Sequence, residues 1–126
     1  MSSTHDAKHH KLIHTTTIPI RWGDMDAYGH VNNTIYFRYM EQARCEWLEG
    51  QGYKVAPEGL APVIINAACT FMLPMTYPGT VEVRTYAGEL GRSSLVTSYE
   101  MRIVGDATVY AQGSAKSVRM GTATGK

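Results

Sequence analysis

The sequence predicts an α+β fold in which a curved antiparallel β-sheet wraps around one long central helix. Two observations predict it: a single segment has helical periodicity, and one segment before it and four after it have strand character. A lone helix and an antiparallel sheet each need one face covered, and packing them together satisfies both. With 126 residues and no linker, the chain is predicted to be a single domain over 1–126, with flexible tails at about 1–12 and 121–126.

The first strand and the helix are predicted from their patterns and their flanking residues. Thr15–Trp22 is rich in β-prone residues that alternate with others. A helix is predicted at Asn33–Glu49, because one apolar stripe repeats there at helical spacing. The members of the stripe are Tyr36, Met40, Ala43 and Trp47. Asn32 is suited to cap the start of this helix, and Gly50 to end it.

Four further strands are predicted at Pro62–Leu73, Thr80–Leu90, Ser93–Ile103 and Thr108–Met120. Pro62–Leu73 is almost continuously apolar, which predicts a strand buried on both faces. In Thr80–Leu90 and Ser93–Ile103 the side chains alternate between two faces, so we expect one face of these strands toward the helix and one toward solvent. The sheet then has free edges, and dimerisation is a common way to protect an edge strand.

The bulk properties exclude several classes of protein. A net charge of +1 with scattered Lys and Arg gives no basis for a nucleic-acid partner. No apolar run reaches membrane-spanning length, and the polar N-terminus lacks an apolar signal core, so we expect a cytoplasmic protein without a membrane partner. Cys45 and Cys69 lack metal-type spacing and are predicted to be reduced thiols.

A crowded polar loop, GDMDAYGHVNN, lies between the first strand and the helix. Its spacing from Asp24 resembles a calcium loop, but Tyr28 and Ile35 stand where oxygen ligands are needed. A transition-metal site would need more ligands than Asp24, Asp26 and His30, and the chain has no other ligand cluster. We therefore predict no metal site.

Two interpretations of this loop remain open from the residues alone. In one, it is only a polar turn shaped by Asp and Gly. In the other, it is catalytic, because a helix N-terminus presents unpaired N–H groups that can stabilise a developing oxyanion. Asp26, seven residues before Asn33, could then reach the same carbonyl as nucleophile or as general base.

The segment RWGDMDAYGHVNNTIYFRYMEQAR, Arg21–Arg44, closely resembles the acyl-CoA thioesterases of the hotdog fold. It is most similar to the 4-hydroxybenzoyl-CoA thioesterase group and its bacterial long- and short-chain acyl-CoA relatives. The resemblance implies a hotdog fold over nearly the whole chain and hydrolysis of an acyl-CoA to free acid and CoA. It also implies homodimers, often paired into tetramers, with active sites at the subunit interface. No cofactor is implied, since CoA is part of the substrate.

The same resemblance assigns roles to individual residues. Asp26 matches the catalytic carboxylate, and Asn33 matches the helix-start position whose backbone N–H faces the thioester oxygen. His30 lies in a Gly-His-Val-Asn-Asn variant that the 4-hydroxybenzoyl enzyme lacks, so an aromatic substrate is not implied. Tyr36 matches a substrate-binding position. Glu41 also matches a common position, with a structural pairing on the helix as the alternative.

A phosphate-contacting segment is implied at Gly91–Ser94, where Arg92, Ser93 and Ser94 would hold CoA; a plain hairpin turn is the alternative. Two other functions also remain open. One is a hotdog enoyl-CoA hydratase or dehydratase, and the other is a non-catalytic acyl-CoA-binding protein. The acyl group is not specified by the sequence. Five side chains are candidates for its pocket or for the core, namely Tyr28, Phe37, Tyr39, Met40 and Phe71.

Overall fold

The structure is a computed structural model that describes residues 10–50, 60–90 and 94–121. Its elements in chain order are β1 (Lys11–Pro19), a 3-10 turn (Trp22–Asp24), α1 (Asn33–Gly50), β2 (Leu60–Phe71), β3 (Thr80–Leu90), β4 (Ser94–Ile103) and β5 (Ala111–Gly121). Most of each predicted tail lies outside the described residues. The exceptions are positions 10–12, of which 11 and 12 belong to β1, and position 121 at the end of β5.

All five strands form one antiparallel sheet in the order β1-β3-β4-β5-β2, and α1 packs across one face of it. The prediction of an α+β fold with one helix against a curved antiparallel sheet is confirmed. The helix-facing side chains of β3 and β4 alternate as predicted and are almost inaccessible to solvent. They are Val81, Val83, Thr85, Thr97, Tyr99 and Met101. Within the described residues, no helix is long and apolar enough to cross a membrane.

The helix contributes Tyr36, Tyr39, Met40 and Ala43 to this core, so three of the four predicted stripe residues are buried and Trp47 is half-buried. Met40 lies directly over Gly113 of β5. A Cβ at that glycine would overlap the Met40 sulfur and approach the Ala68 carbonyl oxygen to 3.1 Å. Glycine therefore lets the helix approach the sheet closely at this point.

The bounds of three strands differ from the prediction. β2 spans Leu60–Phe71 instead of Pro62–Leu73. β1 ends at Pro19, three residues before the predicted Trp22. Beyond it, the Ile20 N–H donates to the Gly79 carbonyl and the chain enters the 3-10 turn. β5 begins at Ala111 instead of Thr108, because the Thr108 N–H donates to the Asp106 carboxylate in the preceding turn. By contrast, β3 has the predicted bounds.

The prediction that the apolar strand β2 is buried on both faces is wrong for the single chain. β2 is the last strand of the sheet and pairs only with β5. Val63, Ile65 and Phe71 are 42%, 55% and 40% exposed. The apolar composition therefore belongs to an edge strand that a single copy of the chain leaves uncovered.

A polar cluster links β1 to the C-terminal half of α1. The Glu46 carboxylate accepts hydrogen bonds from Thr16 at 2.9 Å and from Gln42 at 3.2 Å, and it lies 3.1 Å from the His14 ring. Burial raises the pKa of Glu46, but the hydrogen bonds from His14, Gln42 and Thr16 outweigh it and hold the pKa below its ordinary value. The cluster therefore favours the ionised carboxylate.

Candidate active site

The polar loop between β1 and α1 folds back on itself like a small hairpin. The Asn32 N–H donates to the Asp24 carbonyl at 2.9 Å, and the Asp26 N–H donates to the His30 carbonyl at 2.8 Å. The chain reverses at Gly29, whose φ of +81° is a conformation that favours glycine. These bonds place Asp26 near the tip of the loop, with its backbone fixed.

The Asp26 side chain opens into a cleft of about 390 Å³. One carboxylate oxygen, Oδ1, accepts the Tyr28 N–H at 2.9 Å, and the side chain is half-buried. The walls of the cleft combine this loop, the start of α1 and the segment that follows β2. Its lining residues are Asp26, Tyr28, His30, Val31, Asn33, Tyr36, Phe71, Met72, Leu73 and Pro74.

The first residue of α1 brings a free donor to the same cleft. Asn32 caps the helix as predicted: its side-chain oxygen accepts the Thr34 N–H at 2.9 Å and its carbonyl accepts the Ile35 N–H at 2.8 Å. The Asn33 N–H makes no hydrogen bond with any residue that the structure describes. An unbonded N–H at the positive end of a helix dipole attracts a carbonyl oxygen or an oxyanion.

Aromatic side chains form the inner wall of the cleft. The rings of Tyr36 and Phe71 meet edge to face, with centroids 4.8 Å apart. Burial raises the pKa of the Tyr36 phenol, against the lowering effect of a hydrogen bond to the Met75 backbone. Tyr36 therefore stays protonated at neutral pH and presents an apolar ring with a neutral hydroxyl.

Behind the cleft, the Asp24 carboxylate is buried, with 4% of the residue exposed. Its Oδ2 atom accepts the Tyr39 hydroxyl at 2.8 Å and the Arg21 N–H at 3.0 Å. The Arg21 guanidinium lies 3.5 Å from Oδ1. Burial, with the bond to Asp24 as the next cause, raises the pKa of Tyr39 well above its ordinary value. The sequence predicted that Asp24 shapes the loop but did not indicate its partner Tyr39.

Four of the predicted site residues line the one cleft: Asp26, His30, Asn33 and Tyr36. The His30 ring is exposed and forms no hydrogen bond or ion pair among the described residues, while its carbonyl supports Asp26. The orienting role suggested for this ring therefore stays a prediction.

Of the predicted CoA-binding residues Arg92, Ser93 and Ser94, only Ser94 is described, and it does not line this cleft. Arg92 and Ser93 lie outside the described residues. Ser94 begins β4 beside the end of β3, whereas the loop adjoins the start of β3 at Gly79. The eleven residues of β3 separate the two ends by about 35 Å at the usual strand rise. Ser94 and Asp26 of one chain are thus at opposite ends of the sheet.

The candidate acyl-pocket residues divide between cleft and core. Tyr28 and Phe71 line the cleft. Tyr39 and Met40 belong to the core, and Phe37 is 37% exposed outside the cleft lining. Sequence reasoning did not single out Met72, Leu73 and Pro74. Their position next to Asp26 depends on tertiary contacts, for which the sequence carries no local signal.

Neither cysteine lines the cleft. Cys45 and Cys69 are both unpaired, and burial raises the pKa of the Cys69 thiol to about 11. Within residues 10–50, 60–90 and 94–121, no group of three His, Cys, Asp or Glu side chains is arranged to hold a metal ion. The cleft chemistry described above rests on a carboxylate, a backbone N–H and aromatic rings.

A curved antiparallel sheet around one helix, with a carboxylate cleft at the helix start, defines a protein of the hotdog fold. The chain belongs to the thioesterase-like superfamily, whose family model matches residues 20–126. This match agrees with the resemblance found in Arg21–Arg44, which lies wholly inside the matched range.

Individual proteins with known structures or curated sequences show the same relationship. A proposed thioesterase from Pseudomonas aeruginosa is 43% identical, with a TM-score of 0.89 over 92% of this chain and 90% of that chain. A proposed acyl-CoA thioesterase from Xanthomonas campestris is 30% identical, with a TM-score of 0.80 over 86% of this chain and 92% of that chain. A curated protein of Aquifex aeolicus, described as a proposed esterase, is 36% identical over 64% of this chain. The chain spans 65%, just under two thirds, of the length of that curated relative.

Proposed function

We propose that the chain is an acyl-CoA thioesterase that hydrolyses a thioester to a free acid and CoA. One observation carries the proposal: a single cleft holds the Asp26 carboxylate and the unbonded Asn33 N–H at the start of α1. An acceptor or nucleophile beside a fixed donor is what acyl transfer requires. The family membership and the proposed thioesterases among the structural relatives support the same reaction.

In this proposal, the Asn33 N–H donates to the thioester carbonyl oxygen. Asp26 then acts by one of two routes. It adds to the carbonyl carbon, giving a mixed anhydride that water cleaves, or it takes a proton from the water molecule that adds. In both routes the carbonyl oxygen gains negative charge that the N–H stabilises, and the carbon–sulfur bond breaks to release CoA. Neither route uses a metal or an organic cofactor.

Further side chains have supporting roles in the proposal. Tyr36 and Phe71 give the acyl group an apolar wall, and His30 at the rim orients the acyl group or the carboxylate. Arg92, Ser93 and Ser94 contact the CoA phosphates. Because Ser94 lies at the far end of the sheet from Asp26 of its own chain, this contact would come from a second copy. A cytoplasmic location also stays a prediction.

A homodimer is the second part of the proposal, and pairing of dimers into a tetramer is its extension. The edge strand β2 exposes apolar side chains, which a partner would cover. Phe71 is the last residue of this strand, and Met72 and Leu73 follow it; all three are exposed and line the cleft. A second copy on β2 would therefore cover residues that line the cleft and limit the access of bulk water, while the water molecule that reacts is retained beside Asp26.

The function is tested by incubating the protein with short-chain, long-chain and aromatic acyl-CoAs and measuring free thiol. We expect thiol release with at least one member of the panel. Two outcomes would contradict the proposal. Hydration of an enoyl-CoA without thiol release would identify a hydratase, and tight binding of intact acyl-CoA without release would identify a binding protein.

The role of the Asn33 N–H is tested by comparing Asn33→Pro with Asn33→Ala. Asn33 is the first helical residue, where proline is tolerated because its missing N–H has no partner within the helix. Asn33→Pro should lower kcat by about 10²–10³-fold, as loss of an oxyanion donor does. Asn33→Ala keeps the N–H and should retain kcat. Equal rates in the two variants would exclude this N–H as the donor.

A further inference from the structure

The contact between Asp24 and Tyr39 joins the two halves of the candidate active site. Asp24 precedes Asp26 by two residues, and its carbonyl accepts the N–H of Asn32, the helix cap. Tyr39 lies in the second turn of α1, the helix whose first N–H is the proposed oxyanion donor. A single hydrogen bond of 2.8 Å thus ties the loop that carries the carboxylate to the helix that carries the donor.

We propose that Tyr39 and Asp24 are positioning residues that fix the Asp26 carboxylate relative to the Asn33 N–H, an inference that rests on the proposed function. Neither side chain lines the cleft, so neither is placed to touch the substrate. Their effect passes through the backbone. Asp26 lies two residues after Asp24, so rotation or withdrawal of Asp24 would also displace Asp26. A displacement of the order of 1 Å at a reacting group is enough to lower a rate about 10²-fold.

The burial of the pair supports a positioning role. Tyr39 is 2% exposed and Asp24 4% exposed, so neither group can exchange this bond for one to bulk water. A buried carboxylate is unfavourable unless it is hydrogen-bonded, which makes the observed position of Asp24 depend on its donors. Those donors are the Tyr39 hydroxyl and the Arg21 N–H, with the exposed Arg21 guanidinium nearby. Only the Tyr39 bond reaches the helix.

The test is a double-mutant cycle of Tyr39→Phe and Asp26→Asn, with kcat and KM measured by thiol release. Phenylalanine keeps the buried ring and removes only the hydroxyl. We expect Tyr39→Phe to lower kcat by about 10–100-fold while KM stays within about twofold. In the Asp26→Asn background the same substitution should change the residual rate by less than about twofold, because the group that it positions is already inactive.

Tyr110→Phe is the matched control. The Tyr110 hydroxyl donates to Oδ2 of Asp106 at 2.8 Å, the same kind and length of bond, in the turn between β4 and β5 and outside the cleft lining. This variant should keep wild-type kcat. If Tyr39→Phe keeps kcat within twofold of wild type, or lowers it equally in both backgrounds, the positioning role is excluded.

Asp24 variants keep the inference testable if Tyr39→Phe folds poorly. Both of the bonds to Asp24 described above are accepted by Oδ2, so an asparagine whose oxygen occupies that site retains them. We expect Asp24→Asn to keep kcat within about fivefold and Asp24→Ala to lose about as much as Tyr39→Phe. Loss of kcat in Asp24→Asn as large as in Asp24→Ala would contradict the inference, because it would show a need for the charge itself.

The cycle separates the inference from the function on which it rests. Wild-type kcat in Asp26→Asn would overturn the proposed function. A strong loss in Asp26→Asn together with normal kcat in Tyr39→Phe and Asp24→Ala would overturn only the positioning role.

Discussion

Replacement of Gly113 by alanine tests how closely α1 approaches the sheet. A Cβ at this position would overlap the Met40 sulfur and lie 3.1 Å from the backbone oxygen of Ala68. The methionine can move, but the backbone oxygen belongs to β2, which is paired with β5 across this point. Overpacking of this kind costs about 1–3 kcal/mol of the free energy of unfolding. In a chain of 126 residues each kcal/mol corresponds to a fall in Tm of about 4 °C.

Met40→Ala provides the compensating change. Alone, it should cost about 2–5 kcal/mol, since it removes a fully buried side chain. In the double variant the new methyl group of residue 113 occupies part of the space that Met40 vacates. The double variant should therefore lose less free energy of unfolding than the two single variants together, by at least about 1 kcal/mol.

Urea unfolding of the four proteins at one fixed protomer concentration measures these free energies, because an oligomer's apparent stability depends on concentration. Additive losses within about 0.5 kcal/mol would refute the contact between Met40 and Gly113. A stability of Gly113→Ala equal to wild type would refute the close approach itself.

Three further predictions concern the edge strand, the acid limit of stability and the chemistry. Ile65→Lys should shift the protein from dimer to monomer in analytical ultracentrifugation. Val104→Lys, at a similarly exposed apolar residue in the β4–β5 turn, should leave the dimer intact. Dissociation of the dimer by both substitutions, or by neither, would contradict the β2 interface. Folding lowers the pKa of Glu46 below its ordinary 4.5, so the ionised carboxylate stabilises the fold above pH 4.5 and this contribution is lost as the pH falls below that value. The Tm of Glu46→Gln should therefore depend less on pH between about 5 and 3 than the Tm of wild type. If the Tm of Glu46→Gln falls with pH as steeply as that of wild type, Glu46 does not contribute to the loss of stability in acid. Prolonged treatment with EDTA should leave thiol release unchanged, and loss restored by a divalent cation would contradict the proposed mechanism.

Local signals in the sequence were sufficient for several elements. In the sequence, the turn-forming residues Pro78 and Gly79 precede β3 and Gly91 follows it, and the bounds of this strand were predicted correctly. Asn32 correctly marked the start of the helix. The candidate loop could also be identified from the sequence, because Asp26, His30 and Asn33 lie within eight residues and their spacing alone brings them together.

Non-local contacts explain what the sequence could not predict. A continuous apolar run does not distinguish a strand buried within one chain from an edge strand such as β2. The start of β1 was missed because a shift in pairing between Leu12 and His14 interrupts the alternation. Tyr39 and Asp24 are fifteen residues apart, so only the packing of the helix on the loop reveals their bond.

The most direct measurement of the central claim compares Asp26→Asn with Asp106→Asn in thiol release from the best acyl-CoA. The two residues are matched, since Oδ1 of each accepts the backbone N–H two residues ahead at 2.9 Å, a bond that asparagine retains. The proposal predicts a loss of kcat of about 10²–10⁴-fold in Asp26→Asn and wild-type kcat in Asp106→Asn. If Asp26→Asn turns over at nearly the wild-type rate, Asp26 is not the reacting carboxylate and the proposed mechanism is wrong.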